Sequence, residues 1–213
     1  MTRPTTVKRT EIADAALRLI GNRGITELTM ANLATELGVS PGAPFRHFKS
    51  RDEILEEVAH RVVELVGASF PDPGLPPLER LSQLFLARTE AIGRHAGLAR
   101  LIFSDQFAKA LPEAAAAQLH SLVKRTRTCL LDALEEAAAR GEIRKDLPPE
   151  ALLIPIMGTL QHLAFLTALP AKGAGFKRPE PAQVLATLKE LLRPAPSPAP
   201  TQDAFASRPS SIS

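Results

Sequence analysis

The chain has 213 residues, a formal net charge of +3, 4% aromatic residues and one cysteine. This length holds one small and one larger helical unit, each with a core of its own. A lone Cys129 makes no disulfide framework, which fits a reducing compartment, and we expect a small apolar packing role for it in place of a redox role.

The sequence predicts neither a membrane span nor a signal peptide. No apolar run approaches the ~20 residues of a transmembrane helix, and the first residues lack the apolar segment of a signal sequence. We therefore expect a cytoplasmic protein with no membrane partner. Ala and Leu dominate and no segment alternates like a strand, so we predict an all-α fold of about nine helices.

The N-terminal residues predict a helix-turn-helix. Apolar residues recur at helical spacing in two segments: Ile12, Ala16, Leu19 and Ile20, then Met30, Leu33, Ala34 and Leu37. Gly24 is expected to end the first helix, and Gly38 supplies a tight turn after the second. Ser40 and Pro41 then favour the start of a third helix, as its cap and first residue. An ordinary αα-hairpin is the alternative interpretation.

Positive charge gathers around this motif. Residues 1–51 contain eight lysines and arginines against four acidic residues, a net charge of +4, so the remainder of the chain is slightly acidic. This distribution is typical of a module that binds a polyanion. Ser50 and Glu53 then form a predicted capping box, which opens a long helix.

The rest of the chain predicts a helical body and a tail. Four prolines and a glycine in residues 70–77 interrupt the helical pattern. Further helices are expected near 78–95, 98–104, 112–140, 148–169 and 180–192, with Pro155 disturbing the fourth. The predicted units are a DNA-binding domain at 1–50, an effector-binding and dimerisation domain at 51–193, and a disordered tail rich in proline and serine at 194–213.

The ordered set of motifs from Lys8 to about Ala59 resembles the DNA-binding domain of the TetR/AcrR family of bacterial transcriptional regulators. The segments that carry the resemblance are 15–20, 24–30, 33–34, 37–42, 45–48 and 50–51. The resemblance implies a three-helix head that carries the helix-turn-helix. It also implies a larger body that holds a small effector and pairs with a second copy. The expected partners are therefore double-stranded DNA, an effector and a homodimer subunit.

The helix-turn-helix and the resemblance together predict the DNA contacts, which are Thr29, Ser40, Pro41, Gly42, Ala43, Phe45, Arg46, His47, Lys49 and Arg51. Arg46 is the candidate for a guanine contact, and a phosphate contact or a solvated side chain is the alternative. Thr29 is expected to cap the first helix of the helix-turn-helix, and Thr29, His47 and Arg51 match phosphate contacts of the family.

Two positions depart from the family pattern. Phe45 stands where tyrosine is common, so it lacks the hydroxyl that donates to a phosphate and is expected to pack or to touch a thymine methyl. Pro44 stands where leucine or isoleucine is usual, and it cannot donate to the carbonyl of Ser40. We therefore expect an unusual start to the recognition helix.

Body residues are assigned on the strength of the resemblance. The candidate effector contacts are Phe85, Phe103, Phe107, Met157, His162 and Phe165, with simple core packing as the alternative. The candidate dimer contacts are Leu152, Ile156, Leu160, Leu163, Val184, Leu188 and Leu191. The alternative is that these residues fill the core of a single chain.

The sequence thus predicts a transcriptional repressor that a small, apolar effector releases from a near-palindromic operator. One alternative is a DNA-bound architectural or division-control protein of the same fold that answers to a protein partner. Another is a binding module whose head has lost DNA affinity. The histidines lie far apart without metal-ligand spacing and there is no glycine-rich phosphate loop, so we predict no enzyme activity, no metal and no cofactor.

Overall fold

The computed structural model of the chain describes residues 7–95, 98–102, 105–168 and 179–194. Within these residues the regular structure is helical, which confirms the all-α prediction. The helices are α1 (Arg9–Arg23), α2 (Met30–Leu37), α3 (Arg51–Gly67), α4 (Pro77–Arg94), α5 (Leu98–Ile102), α6 (Asp105–Ala110), α7 (Glu113–Ala139), α8 (Pro149–Ala168) and α9 (Pro181–Leu192). Short 3₁₀ turns lie at Ile25–Glu27 and Pro44–Arg46.

The predicted turn after α2 is present. Gly38 adopts a left-handed conformation with φ of 66°, and its amide lies 3.1 Å from the carbonyl oxygen of Thr35. The amide of Val39 donates to the carbonyl of Ala34 at 3.0 Å, so the freed carbonyls at the end of α2 are satisfied. A residue with a Cβ would be strained at this φ, which explains the glycine.

Helix α3 belongs to the cores of both predicted units. On one side it packs against α1, and on another it packs against α7. Leu55 and Val58 lie in one continuous apolar cluster that reaches from Leu19 in α1 to Leu122 in α7. A rigid helix packed on both sides can transmit a change from the body to the head.

Helices α4, α7, α8 and α9 enclose a second apolar cluster, and this corrects the predicted dimer face. Five of the predicted interface residues are buried inside the single chain: Leu152, Ile156, Leu160, Leu163 and Leu188. Val184 is half-buried against the same cluster, and only Leu191 is exposed. Most of these residues therefore fill the core of one chain, as the alternative interpretation has it. The resemblance implied pairing through the last two helices, but it did not specify which side of α8 faces outward, because α8 is apolar on nearly all sides.

The expectation that no apolar run approaches the length of a transmembrane helix was too strong. The stretch Pro149–Leu166 of α8 has a mean hydropathy of 1.2 over 18 residues, which by length and composition alone is enough to cross a membrane. Buried core helices pass the same test. In this chain 39% of the stretch is buried, so a substantial apolar surface of α8 remains uncovered.

Candidate nucleic-acid interface and ligand cavity

Residues 40–48, here called the reading turn, occupy the place predicted for the recognition helix. They form successive turns and a single 3₁₀ segment, so the prediction of an α-helix from Pro41 was wrong. Pro44 has no amide hydrogen, and the carbonyl of Ser40 accepts from the amide of Ala43 at 2.9 Å instead. The amide of Phe48 donates to the carbonyl of Pro44 at 3.0 Å and closes the segment. Proline therefore changes the helix type as well as its start.

The side chains of the reading turn divide into an inner and an outer set. Pro44 and Phe48 are buried and anchor the segment. Phe45 is 57% exposed, and Arg46 is also exposed. Ser40, Pro41, Gly42 and Lys49 share this exposure, while Ala43 and His47 are half-buried. The outer set thus offers one large apolar surface beside one long hydrogen-bonding side chain.

Arg9 joins α1, the reading turn and α3. Its Nη1 donates to the carbonyl oxygen of His47 at 2.8 Å, and its Cζ lies 4.2 Å from the ring centroid of Phe48. Its Nε and Nη2 both donate to Oε2 of Glu57, at 3.0 and 2.9 Å. The sequence reasoning counted Arg9 only as a charge. Its separation of 38 residues from His47 is not visible in any local pattern.

Arg51 plays a different part from the phosphate contact that the resemblance implies. Its Nε donates to the carbonyl of Leu28 at 3.1 Å and its Nη2 to the carbonyl of Ile25 at 2.9 Å. The side chain therefore braces the turn that leads into α2. The phosphate contact of Arg51 stays a prediction. In contrast, Arg46 and Lys49 form no side-chain ion pair with any residue that the structure describes.

Two predicted caps position the head. Oγ1 of Thr29 accepts from the amide of Asn32 at 3.1 Å at the start of α2. Oγ of Ser50 accepts from the amide of Glu53 at 3.2 Å at the start of α3. The carboxylate of Glu53 reaches back to the amide of Lys49 at 2.8 Å, one residue beyond the expected partner. Both helix starts are therefore fixed by caps, and the start of α3 directly follows the reading turn.

A cavity of about 250 Å³ lies among helices α3 to α8. Its walls are mainly apolar and include Val62 and Val66 of α3, Ile92 of α4, Leu122 of α7, and Met157 and Leu160 of α8. The exposed side chains of His120, Val123 and Gln161 also line it and leave it open toward solvent. Largely apolar concavities with a few polar groups are typical ligand sites.

The predicted effector residues are only partly brought together here. Phe107 and Met157 line the cavity. Phe85 is fully buried in the second apolar cluster, and His162 and Phe165 lie exposed on α8, so these three do not line it. The fourth phenylalanine of the set, Phe103, lies outside the described residues. Of the predicted effector contacts, Phe107 and Met157 therefore remain candidates.

Sequence reasoning missed a charged residue in the cavity wall. Arg88 lines the cavity and is only 6% exposed. Burial lowers the pKa of Arg88 to about 10, so it stays protonated at neutral pH. The sequence does contain a signal for the burial of Arg88. This residue lies three positions after Phe85 and four after Leu84, on the apolar stripe of α4.

The thiol of Cys129 and possible metal ligands were the other candidate reactive groups in the described residues. Cys129 is half-buried on α7, and burial raises the pKa of its thiol, which makes it a poor nucleophile. No group of three or more His, Cys, Asp or Glu side chains is placed to hold a metal ion in the part of the chain that the structure describes. The described geometry therefore offers an exposed turn and a largely apolar cavity.

Comparison with known proteins agrees with this arrangement. A family model described as bacterial regulatory proteins, tetR family, matches residues 12–58. The HTH-type transcriptional repressor KstR2 of Mycolicibacterium smegmatis is 30% identical over 146 residues, covering 66% of this chain and 69% of the relative. The fold is similar to that of the ketosteroid transcriptional regulator KstR2 of Mycobacterium tuberculosis, with a TM-score of 0.73 and 22% identity over 88% of this chain and 95% of the other. It is also similar to AibR in complex with isovaleryl coenzyme A and operator DNA, with a TM-score of 0.69 and 17% identity over 86% and 97%.

Proposed function

The chain belongs to the TetR family of bacterial regulatory proteins, and from that membership we propose that it represses transcription as a homodimer on a near-palindromic operator. It is a DNA-binding transcriptional regulator and not an enzyme. The proposed units are a head at 1–50 and a body at 51–193, working in the cytoplasm where the DNA is. The predicted tail at 194–213 lies outside the described residues apart from Pro194.

The observation that carries the proposal is the outward face of the head. Phe45 and Arg46 project from a turn that capped helices hold on either side, and Lys49 lies exposed at its end. We propose that Arg46 reads a base edge and that Phe45 contacts a thymine methyl in the major groove. Lys49, Thr29 and the half-buried His47 are the proposed phosphate contacts, which set register without reading sequence.

The proposed dimer face is the uncovered side of α8 and α9. Ile154 is 67% exposed, Phe165 is 48% exposed and Leu191 is 64% exposed. Ile154, Gly158 and Phe165 recur at helical spacing on one side of α8, and Gly158 allows close approach of a second helix. Exposed apolar side chains gathered on one part of a surface are typical of protein interfaces. A dimer places two heads on half-sites about one helical turn apart.

Effector release is proposed to act through α3. Val62 and Val66 line the cavity, and the same helix carries Glu57, which binds Arg9 beside the reading turn. A ligand that fits one placement of α3 better than another shifts the spacing of the two heads. AibR has been crystallised with isovaleryl coenzyme A, and the solved KstR2 is a ketosteroid regulator. From the mainly apolar walls of the cavity, and by analogy with the ketosteroid regulator, we propose a small, largely apolar effector.

The test is selection of bound DNA from a randomised duplex pool by the purified full chain, followed by sequencing. A palindrome with half-sites ~34 Å apart is expected. The matched control is the double variant Arg46→Ala with Lys49→Ala, which is expected to lose enrichment. A folded dimer that enriches no sequence would overturn the proposal.

A further inference from the structure

Arg88 is a buried cation with an incomplete set of partners. Its Nε donates to Oγ of Ser69 at 2.7 Å and its Nη1 to Oγ1 of Thr126 at 3.2 Å. Its Nη2 is buried and has no hydrogen-bond partner. No Asp or Glu among the described residues forms an ion pair with it. A buried charge in this state is costly unless an anion joins it.

The two hydroxyls fix the guanidinium without neutralising it. Ser69 donates its own proton to the carbonyl of Val66 at 2.6 Å, and Thr126 donates its own to the carbonyl of Leu122 at 2.8 Å. Each hydroxyl oxygen is therefore left to accept from Arg88. The ring of Phe70 adds a contact, with its centroid 5.2 Å from Cζ of Arg88. These contacts hold the side chain at the cavity wall before any ligand binds.

We propose that the effector is an amphipathic carboxylic acid whose carboxylate pairs with the guanidinium of Arg88 and whose apolar body fills the cavity. This inference rests on the proposed effector role of the cavity and refines the expectation of a purely apolar ligand. Nη2 is shielded from solvent in this structure, so a small shift of the guanidinium toward the cavity would let the carboxylate supply its missing acceptor in a charge-assisted hydrogen bond. Val62, Ile92, Phe107 and Leu160 would surround the body.

The charge and the volume both favour a monocarboxylate. Arg88 is the one lysine or arginine among the described residues that line the cavity, so a single negative charge is matched and a doubly charged phosphate is not. An engineered cavity of about 150 Å³ holds benzene, so the 250 Å³ here accepts a somewhat larger apolar body. A free acid is therefore favoured over a bulky, highly charged coenzyme A ester.

Arg88 also contacts the end of α3 through Ser69. Ser69 lies two residues beyond the last residue of α3, and its hydroxyl proton binds the carbonyl of Val66 within that helix. An anion that draws Arg88 toward the cavity would pull on the hydrogen bond to Ser69. The ligand charge thus acts directly on the helix that carries the head.

The test measures binding of three probes of equal chain length to the full chain by calorimetry: decanoate, decanamide and decanoyl coenzyme A. Wild type is expected to bind decanoate about 10-fold or more tightly than decanamide, the range expected of a charge-assisted hydrogen bond. Arg88→Met is expected to lose that preference. The matched control is Arg125→Met, which removes a charge from an exposed arginine that stacks on Phe70 at 4.0 Å without lining the cavity.

Every outcome bears on the inference. The inference would be overturned by equal affinity for decanoate and decanamide, or by no binding of either probe. It would also be overturned if Arg88→Met kept the preference for decanoate over decanamide. Tighter binding of decanoyl coenzyme A that is insensitive to Arg88→Met would overturn it in favour of a thioester ligand. Cooperative unfolding without ligand, at a midpoint equal to or above that of wild type, shows that the variants are folded. Operator binding is measured separately, so its absence would refute the proposed function and leave the acid preference as an independent result.

Discussion

Nη1 of Arg9 lies 2.8 Å from the carbonyl oxygen of His47 and donates a hydrogen bond to it. This bond ties the first turn of α1 to the reading turn, and the same guanidinium binds Glu57 on α3. The reading turn contains two prolines and only one 3₁₀ segment, so its own backbone bonds hold it weakly. Its proposed orientation toward DNA therefore depends in part on Arg9, to which the proposal gives no DNA contact.

Arg9→Ala is expected to weaken operator binding by about 10-fold, because the reading turn loses its main external hydrogen bond. The salt dependence of binding should stay unchanged, since the proposal gives Arg9 no phosphate contact. Fluorescence anisotropy across a salt series measures both. Arg18→Ala is the control, because Arg18 is similarly exposed and pairs with Glu36 away from the reading turn. A salt slope that drops by about 1 would show instead that Arg9 contacts a phosphate.

Arg46→Ala is expected to cost about 1–3 kcal/mol of binding free energy and to relax the preference at one operator position. Lys49→Ala should weaken binding to all sequences and lower the salt slope by about 1. Selection of bound DNA with each variant separates the two effects. If Arg46→Ala weakens all sequences equally, Arg46 contacts a phosphate and reads no base.

Pro44→Leu restores an amide that can donate to the carbonyl of Ser40, which now accepts from Ala43. We expect residues 44–48 to become more helical and their amides to exchange more slowly with solvent. Because the reading turn would then present Phe45 and Arg46 differently, the selected operator should change. Hydrogen exchange and sequencing of bound DNA check the two parts. An unchanged operator would mean that the 3₁₀ geometry does not set specificity.

Ile154→Glu is expected to raise the dimer dissociation constant about 100-fold or more, because it would place an unpaired charge in an apolar interface. Analytical ultracentrifugation gives the constant. Leu86→Glu is the control, since Leu86 is an exposed apolar residue on α4, away from the proposed face. Leu152→Ala, by contrast, should destabilise each chain by about 2–5 kcal/mol through a core cavity. A dimer that tolerates Ile154→Glu but not Leu86→Glu would place the interface elsewhere.

Arg88→Met is expected to leave the free energy of unfolding at pH 7 equal to or above that of wild type, because it removes a buried charge that lacks an anionic partner. Burial lowers the pKa of Arg88 to about 10, below its value in the unfolded chain, so the unfolded chain binds more protons than the folded chain in the pH window just above 10. The free energy of unfolding of wild type therefore rises with pH through that window. Any stability advantage of Arg88→Met over wild type narrows above pH 10. Urea unfolding at pH 7 and above pH 10 tests this. A loss above about 2 kcal/mol at pH 7 would show that the hydrogen bonds of Arg88 outweigh its charge.

The sequence by itself determined the class of fold and the limits of most helices. Thr29 and Ser50 cap their helices as predicted, and Gly38 and Gly141 adopt positive φ where the sequence predicts helix ends. These features depend on hydrogen bonds between residues at most a few positions apart, so the local sequence contains the information. Pro44 was identified as a disturbance by the same local reasoning, although its effect on the helix type was underestimated.

The tertiary structure alone decided which faces of these helices meet. Helix α8 is apolar on nearly all sides, so periodicity could not tell that Ile156 faces the core and Ile154 faces outward. The pairing of Arg9 with His47 joins residues far apart in the chain, and so does the pairing of Arg88 with Thr126. Burial of Arg88 against the cavity follows from the packing of four helices at once. Such contacts depend on how helices cross in space, which no local pattern of apolar and polar residues specifies.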